Sequence, residues 1–414
     1  MRIAVVGSGI AGLASAWLLS REHEVTLYEA NDYLGGHTHT HDLEIAGCRC
    51  AVDTGFIVFN APHYPLLNRL FDDLRVASQP TTMSFALKNE RSGLEYNATN
   101  LPGLFCQPRN LVSPRFWRML ADLRRFYREA PALLDEGSDG PTLGEYLDEH
   151  RYSHAFADDH LLPMASALWS SPSSQIMKFP ARYLVQFMAN HRMLQVRGRP
   201  QWRVVKGGSQ TYVRALRKNW HVQERIGCAA TRVTRAADGV TVQSAAGVEQ
   251  FDQTVLACHS DEALALLGDA SANEREILGA MTYQDNDTVL HSDANLLPRR
   301  RRAWAAWNAL VPRDDTQACT VSYCMNLLQA LDCPEPIVVT LNRTAQIAPE
   351  KILRRLHYRH PVYTQASVAA QKRKVEIQGR NRTWFAGAYW GWGFHEDGMR
   401  SATDVANGLG VRWP

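Results

Sequence analysis

A continuous apolar run, Ile3-Ala4-Val5-Val6, opens the chain, and a second, Val25-Thr26-Leu27-Tyr28, follows a segment of small and apolar residues at helical spacing. Runs of this length without alternation mark strands covered on both faces, as in a parallel sheet, and the segment between them predicts the crossover helix. Residues 1–36 therefore read as a β-α-β unit. Residues 42–45 and 49–52 read as a small hairpin, residues 61–75 as a helix, and 82–87 and 94–96 as strands of a separate antiparallel sheet. From 114 to 189 the apolar positions return every three or four residues, Phe116, Leu120, Leu123, Phe126 and Tyr127 among them, which predicts a helical insert with further helices at 143–150 and 179–188. A helix at 210–218 and strands at 222–226, 231–234, 240–243 and 254–257 come next, and 280–345 supplies the rest of the second sheet. A strand at 382–387 and a helix from 397 to about 407 close the pattern. Strands of the two sheets are interleaved along the chain, so two discontinuous domains are expected.

Gly7-Ser8-Gly9-Ile10-Ala11-Gly12 links the first strand to its helix, and the second strand ends at Glu29. In such a turn the first glycine allows the tight bend, the second lets backbone approach a pyrophosphate, and the third lets helix pack on strand. The helix start offers N–H donors and a positive dipole end, so Gly7, Gly9, Ile10, Ala11 and Gly12 are candidate dinucleotide contacts. Glu29, with Ala30 beside it, stands where a carboxylate accepts hydrogen bonds from adenosine ribose hydroxyls, and its charge would repel a ribose 2′-phosphate.

Gly35-Gly36-His37-Thr38 then adds a second glycine doublet. With it the chain resembles the GG-doublet flavoproteins, a family that includes amine oxidases, protoporphyrinogen oxidases and carotenoid desaturases. The resemblance implies FAD as cofactor, with Gly35, Gly36, His37 and Thr38 along the flavin diphosphate. That family usually has Arg after the doublet, so His37 replaces a permanent charge with a titratable one. Asp53-Thr54-Gly55-Phe56-Ile57 is similar to the family's second flavin element, which implies backbone of Gly55, Phe56 and Ile57 beside the isoalloxazine; an ordinary core strand and turn is the alternative. The resemblance also implies Ile226 against adenine, Gly387 and Ala388 near the diphosphate and ribityl chain, and N–H groups of Gly398 and Met399 at a helix start facing flavin N1 and O2. A reduced flavin carries its charge there, which a helix N-terminus stabilises. Ala388 stands where the family usually carries an acid. Tyr389-Trp390-Gly391-Trp392-Gly393-Phe394-His395-Glu396 lies between these elements. It either walls a substrate slot, with His395 or Glu396 as proton acceptor, or fills space beneath the flavin; Trp392 and His395 are the catalytic candidates.

Longer stretches, Arg199-Pro200-Gln201-Trp202-Arg203-Val204-Val205-Lys206-Gly207-Gly208 and Gly387-Ala388-Tyr389-Trp390-Gly391-Trp392-Gly393-Phe394-His395-Glu396-Asp397-Gly398, resemble a bacterial branch of this family related to the N-terminal region of plant cyclopropane fatty acid synthases. That likeness implies an apolar or lipid acyl substrate. The fold it implies is α/β: a Rossmann-like FAD-binding domain of glutathione reductase type (1–75, 201–275 and 376–414) interleaved with an antiparallel-sheet substrate domain carrying a helical insert (76–200 and 276–375).

Composition narrows this little. The 414 residues are 45% hydrophobic and 21% charged with net charge +3, an ordinary globular balance that gives no footprint for nucleic acid. A core strand directly after Met1 leaves no room for a signal peptide, and no apolar run spans a bilayer, so a cytoplasmic location is expected. Eight cysteines without CxxC spacing are expected to be reduced, and His37, His39 and His41 with Cys48 and Cys50 fit no standard zinc pattern, so no metal is expected. Arg299-Arg300-Arg301-Arg302 with Trp304 and Trp307 reads either as a peripheral contact with the inner membrane face or as a solvated turn beside core tryptophans. The expected activity is oxidation or desaturation of a fatty acyl lipid by hydride transfer to flavin N5, with amine oxidation, or a non-catalytic FAD-binding partner role, as alternatives.

Overall fold

The computed structural model describes residues 1–135, 140–169, 171–195, 198–314 and 319–413. The helical stretch expected over 114–189 and the sheet expected over 280–345 each include a few residues outside these limits.

Strands Arg2–Val6 and Glu24–Tyr28 pair in parallel, joined by helix Ile10–Leu19, and the sheet extends to the order 222–225, 24–28, 2–6, 253–256, 383–385, all parallel. Every residue of the helix is buried. It is hydrophobic all round because the sheet covers one side and the last helix, His395–Gly408, covers the other. A three-stranded antiparallel meander, 230–235, 240–244 and 247–251, leads into strand 253–256, which completes the dinucleotide-binding architecture.

A second sheet of seven strands runs in the order 352–362, 282–291, 338–341, 320–324, 307–311, 85–89, 95–97. Its seven strands come from two chain segments separated by almost two hundred residues, and where these segments meet, strands 85–89 and 307–311 pair in parallel. The sheet is therefore mixed, not wholly antiparallel as expected. Strand 352–362 pairs along nearly its whole length with 282–291. Its run Arg354-Arg355-Leu356-His357-Tyr358-Arg359-His360 carries too few apolar residues to announce a strand. A small ribbon ties the two sheets' segments together: strand 202–205 pairs with 58–60 on one side and 78–81 on the other.

The helical insert has its own core. Ser113 caps helix Pro114–Glu129 by accepting a hydrogen bond from the Phe116 N–H, with proline at the first position. Phe126, Tyr146, Phe156, Phe179, Leu184 and Phe187 pack together beneath it. All eight cysteines are free, and no helix among the described residues is long and apolar enough to cross a membrane.

Candidate active site

One cavity of about 1490 Å³ runs from the glycine turn through the junction of the two sheets into the helical insert. Single-ligand pockets usually hold about 300–1,000 Å³, so this one has room for a dinucleotide and a second molecule.

The nucleotide end is built from residues 6–11, 28–31, 257–259 and 262. A Cβ on Gly12 would stand 1.8 Å from the Gly7 carbonyl oxygen, which explains the third glycine as a point of close packing. A Cβ on Gly9 would meet nothing within 4 Å, because that face opens into the cavity. The helix start has no side-chain cap, so the backbone donors of its first turn, at Ile10 and Ala11, face the cavity. Glu29 is buried and accepts from Ser8 N (2.9 Å), Ser8 Oγ (2.5 Å), Asn31 N and Asn31 Nδ2 (both 2.8 Å). Ala30 and Asn31 complete this wall. Ile226 is displaced from it: the strand stops at Arg225, the Gly227 N–H donates to the Asn31 carbonyl, and the Ile226 side chain is exposed. Ala229 and Ala230 line the cavity in its place. Small side chains at a strand entry carry no sequence signal, which is why these two were missed.

The doublet loop forms the middle. Gly36 and His37 line the cavity, while Gly35 and Thr38 lie just behind it. Gly55 must be glycine, since a Cβ there would sit 2.1 Å from the His37 carbonyl oxygen, which accepts from Phe56 N at 2.7 Å. Gly55, Phe56 and Ile57 all line the cavity. Asp53, fully buried, secures this strand. It accepts from Ser209 N (2.9 and 3.0 Å), Ser209 Oγ (2.7 Å), Thr40 Oγ1 (2.5 Å) and Gln329 Nε2 (2.9 Å), while Gln329 Oε1 accepts from Asp53 N at 2.9 Å. Three distant segments thus meet at one carboxylate.

The C-terminal element differs from expectation in its register. The helix begins at His395, two residues before Asp397, because Asp397 accepts from the N–H groups of Trp392 and Phe394 (both 3.0 Å) and caps the turn. The Gly398 N–H is spent on the Phe394 carbonyl at 3.2 Å, and Gly398 faces Ile10, where a Cβ would fall 2.6 Å from Ile10 Cγ2. Met399 is fully buried in the core beneath helix Ile10–Leu19. The first-turn N–H groups therefore belong to His395 and Glu396, and these replace Gly398 and Met399 as the helix-start donors. Gly387 and Ala388 line the cavity, as do Gly393, Phe394 and His395.

Of the two catalytic candidates, His395 lies at the cavity wall and Trp392 does not. The His395 ring stacks on Phe56 with centroids 3.7 Å apart, and its Nε2 pairs with Thr38 Oγ1 (3.0 Å) and Tyr212 OH (3.4 Å). Burial holds its pKa well below the ordinary histidine value, so it is neutral. Trp392 packs behind Phe394 against Tyr183 and Phe187. Glu396 is not a proton acceptor for the cavity either: its two oxygens accept from Leu66 N and Leu67 N at 3.0 Å, capping helix Pro65–Asp73.

Three further histidines and a tyrosine, from segments that no local pattern groups, converge on the middle of the cavity. His37 stands 5.2 Å from His360 and 6.2 Å from His259, ring centre to ring centre, with Tyr358 at 5.0 Å. Burial lowers His37 and His259 to about 4 and His360 to about 3, helped by the neighbouring imidazoles at His37 and His360 and by Arg359 at His259, so all three are neutral at pH 7. His37 Nε2 is buried without a partner. His39 turns away, stacking on Tyr33 and bonding Tyr358, and among the described residues no group of side chains is arranged to hold a metal ion. A partnerless imidazole and uncapped helix-start donors on one lumen suit an elongated polar anion, and FAD fits this set.

The remaining arm enters the helical insert and is apolar, with Met83, Phe85, Met119, Leu123, Met164 and Leu168 among its walls. Among the described residues lining the cavity the only carboxylates are Glu29 and Glu262. Glu262 stands in the first turn of helix Ser260–Leu266, after the strand that flanks Gly7, so both belong to the nucleotide end. At the outer end of the apolar arm the lining includes two exposed arginines, Arg124 and Arg199.

Residues 10–279 match the family model described as flavin-containing amine oxidoreductase. The chain belongs to this family, and FAD is its cofactor. A Mycobacterium tuberculosis protein named as a flavin-containing monoamine oxidase, AofH, is 27% identical over 261 residues, 62% of this chain and 56% of its own length. The chain thus matches little more than half of that relative. The 1-hydroxycarotenoid 3,4-desaturase of a Flavobacterium species is 40% identical over 74 residues, 17% of this chain and 14% of its own. Among solved structures, putrescine oxidase bound to putrescine superposes with a TM-score of 0.70 at 12% identity over 100% of both chains. The fatty acid isomerase of P. acnes that produces CLA gives 0.68 at 17% over 99% of this chain and 98% of its own. At such identities these superpositions establish a shared fold.

Proposed function

We propose that the protein oxidises the acyl chain of a lipid, one carbon giving a hydride to the flavin and its neighbour a proton to a neutral imidazole of the cavity wall (His37, His259 or His360), to leave a double bond. The observation that carries this reading is the arm in the helical insert: lined mainly by apolar side chains, free of carboxylates among the described residues, and bordered by the exposed Arg124 and Arg199. Such a slot favours an uncharged chain and disfavours a dication, whose second ammonium would have no acid to pair with. When bound, FAD supplies the hydride acceptor, N5 of the isoalloxazine ring. The protein's contribution is position and field. Ile10 and Ala11 N–H groups would hold the diphosphate and Glu29 the adenosine ribose, while the helix start at His395 and Glu396 sets a positive dipole end against developing negative charge. Apolar walls would exclude water and orient the chain against segment 55–57, where the isoalloxazine ring would lie.

A second reading, oxidation of a monoamine, is supported by the likeness to AofH over 62% of this chain. An uncharged monoamine needs no acidic anchor, so the same slot could receive it. Anaerobic absorbance separates the two. Bleaching of the bound flavin by fatty acid or acyl phospholipid, and not by an amine panel, is the expected result. Bleaching by amines alone would replace the acyl reading with the amine one, and bleaching by neither would overturn both and favour a non-catalytic partner role.

A further inference from the structure

Large apolar side chains are exposed at few places among the described residues, and four of them, Leu101 (69% exposed), Leu111 (52%), Val112 (80%) and Trp117 (50%), fall within residues 101–117. They make one patch. Asn110 Nδ2 donates to the Leu104 carbonyl at 3.1 Å, the Trp117 indole N–H donates to the Leu111 carbonyl at 2.8 Å, and the Phe105 ring lies 5.9 Å from that of Trp117. The patch borders the cavity opening, because Leu104 and Trp117 line the cavity together with the exposed Thr99 and Arg124. Its charge is one-sided. Residues 98–121 contain Arg109, Arg115 and Arg118 and no acid, and helix Leu101–Leu104 packs against the short helix Arg301–Ala303, which brings the exposed run Arg299-Arg300-Arg301-Arg302 alongside. The carboxylates beside the patch are buried and engaged: Asp159 pairs with Arg115 (2.7 Å), Asp122 with Arg118 (3.8 Å), and Glu95 accepts from the N–H groups of Arg299 and Arg300 (2.9 and 3.3 Å), so the exposed charge is basic. The tryptophans of that run do not reach outward. Trp307 lines the cavity, and the Trp304 indole N–H donates to the Pro298 carbonyl at 2.8 Å.

We infer that the face formed by residues 101–117 and 299–302 docks on an anionic lipid bilayer and holds the cavity opening at the membrane surface. Exposed apolar side chains ringed by arginines match the two layers they would meet, acyl boundary and anionic headgroups. The purpose of the contact, passage of an acyl chain from bilayer to cavity, rests on the lipid reading above; the contact itself can be tested without turnover. Flotation of the FAD-loaded protein with phosphatidylcholine vesicles, with and without phosphatidylglycerol, is the experiment. Binding is expected to the anionic vesicles and to weaken with added salt. Arg299→Gln with Arg302→Gln should lower it about 25-fold, at about fivefold per arginine. Val112→Asp should lower it as well, and all variants should keep flavin content and melting temperature, which excludes misfolding. No flotation with anionic vesicles, or variants that bind as wild type does, would overturn the docking face, and a protein partner would then be sought for it. Flotation without flavin bleaching by lipid would sink the acyl reading and leave the docking face standing.

Discussion

Asp53→Asn is the substitution that interrogates the architecture most directly. The carboxylate receives hydrogen bonds from Ser209, Thr40 and Gln329 and has no solvent contact. An amide in its place keeps one oxygen, best used towards Ser209 and Thr40, and turns an NH₂ group towards Gln329 Nε2, donor against donor. Gln329 cannot flip to relieve this, because its Oε1 already accepts from Asp53 N at 2.9 Å. One buried donor is left unsatisfied, which costs about 1–3 kcal/mol. With about 2.1 cal/mol/K of unfolding entropy per residue over 414 residues, a 2 kcal/mol loss moves the melting temperature by about 2 °C. The decisive variant is the double one, Asp53→Asn with Gln329→Glu. A carboxylate at 329 accepts from both the new amide and the backbone N–H, so the pair is restored with its charge moved. Differential scanning fluorimetry should show the double variant recovering at least half of the single loss, with parallel recovery of flavin retention. A double variant less stable than Asp53→Asn would refute the assignment of the clasp.

The other expectations are shorter. Gly12→Ala would drive a methyl group into the Gly7 carbonyl, and because helix Ile10–Leu19 is buried all round it cannot shift aside, so the purified protein should lack FAD; a wild-type ratio of flavin to protein absorbance would contradict this. His395→Gln should cut anaerobic flavin reduction by less than about tenfold, since the ring is neutral and engaged with Thr38; a loss beyond about a thousandfold would identify it as the general base. Acid should destabilise the protein through His37, His259 and His360. Their folded pKa values are depressed, so an unfolded chain takes up protons first as pH falls below about 6.5. Stability is then full above pH 6.5 and declines towards pH 4, whereas Asp53, pushed up to about 6, works the opposite way between about pH 6 and 4. Melting temperatures across pH 4–8 for His37→Gln against wild type would show the difference, and parallel curves would contradict it.

What could be read from residues alone divides by the range of the interaction. Gly12, Gly55 and Glu29 act through neighbours fixed by a turn or a strand pair, so short motifs located them. The last helix starts at His395, two residues before the Asp397 expected for it, because Asp397 reaches back to Trp392 and Phe394, a cap that composition does not distinguish from a loop carboxylate; the helix-start donors accordingly fall at His395 and Glu396 and not at Gly398 and Met399. Trp392 failed for another reason: an aromatic next to a flavin segment can face the cavity or the core, and only the insert helix bearing Tyr183 and Phe187 decides which. The cluster of His37, His259 and His360 draws on segments more than three hundred residues apart, beyond any local pattern. Strand 352–362, rich in arginine and histidine, is held by its long pairing with 282–291, so tertiary context overrode propensity there.

Helix Pro114–Glu129 joins these levels. One stripe, Phe116 and Phe126, is buried away from the cavity; a second, Met119, Leu120, Leu123 and Tyr127, lines the apolar arm; and Trp117 reaches the exposed patch. Three faces on one helix mean that its sequence is constrained at most positions for different reasons, and that changes at Leu120 or Leu123 can reshape the slot while the Asp53 clasp and the glycine turn stay intact. Leu123→Phe, which narrows the arm without adding charge, should shorten the longest acyl chain that bleaches the flavin and leave FAD affinity at its wild-type value. Unchanged chain-length preference would mean that the acyl chain takes another path through the cavity.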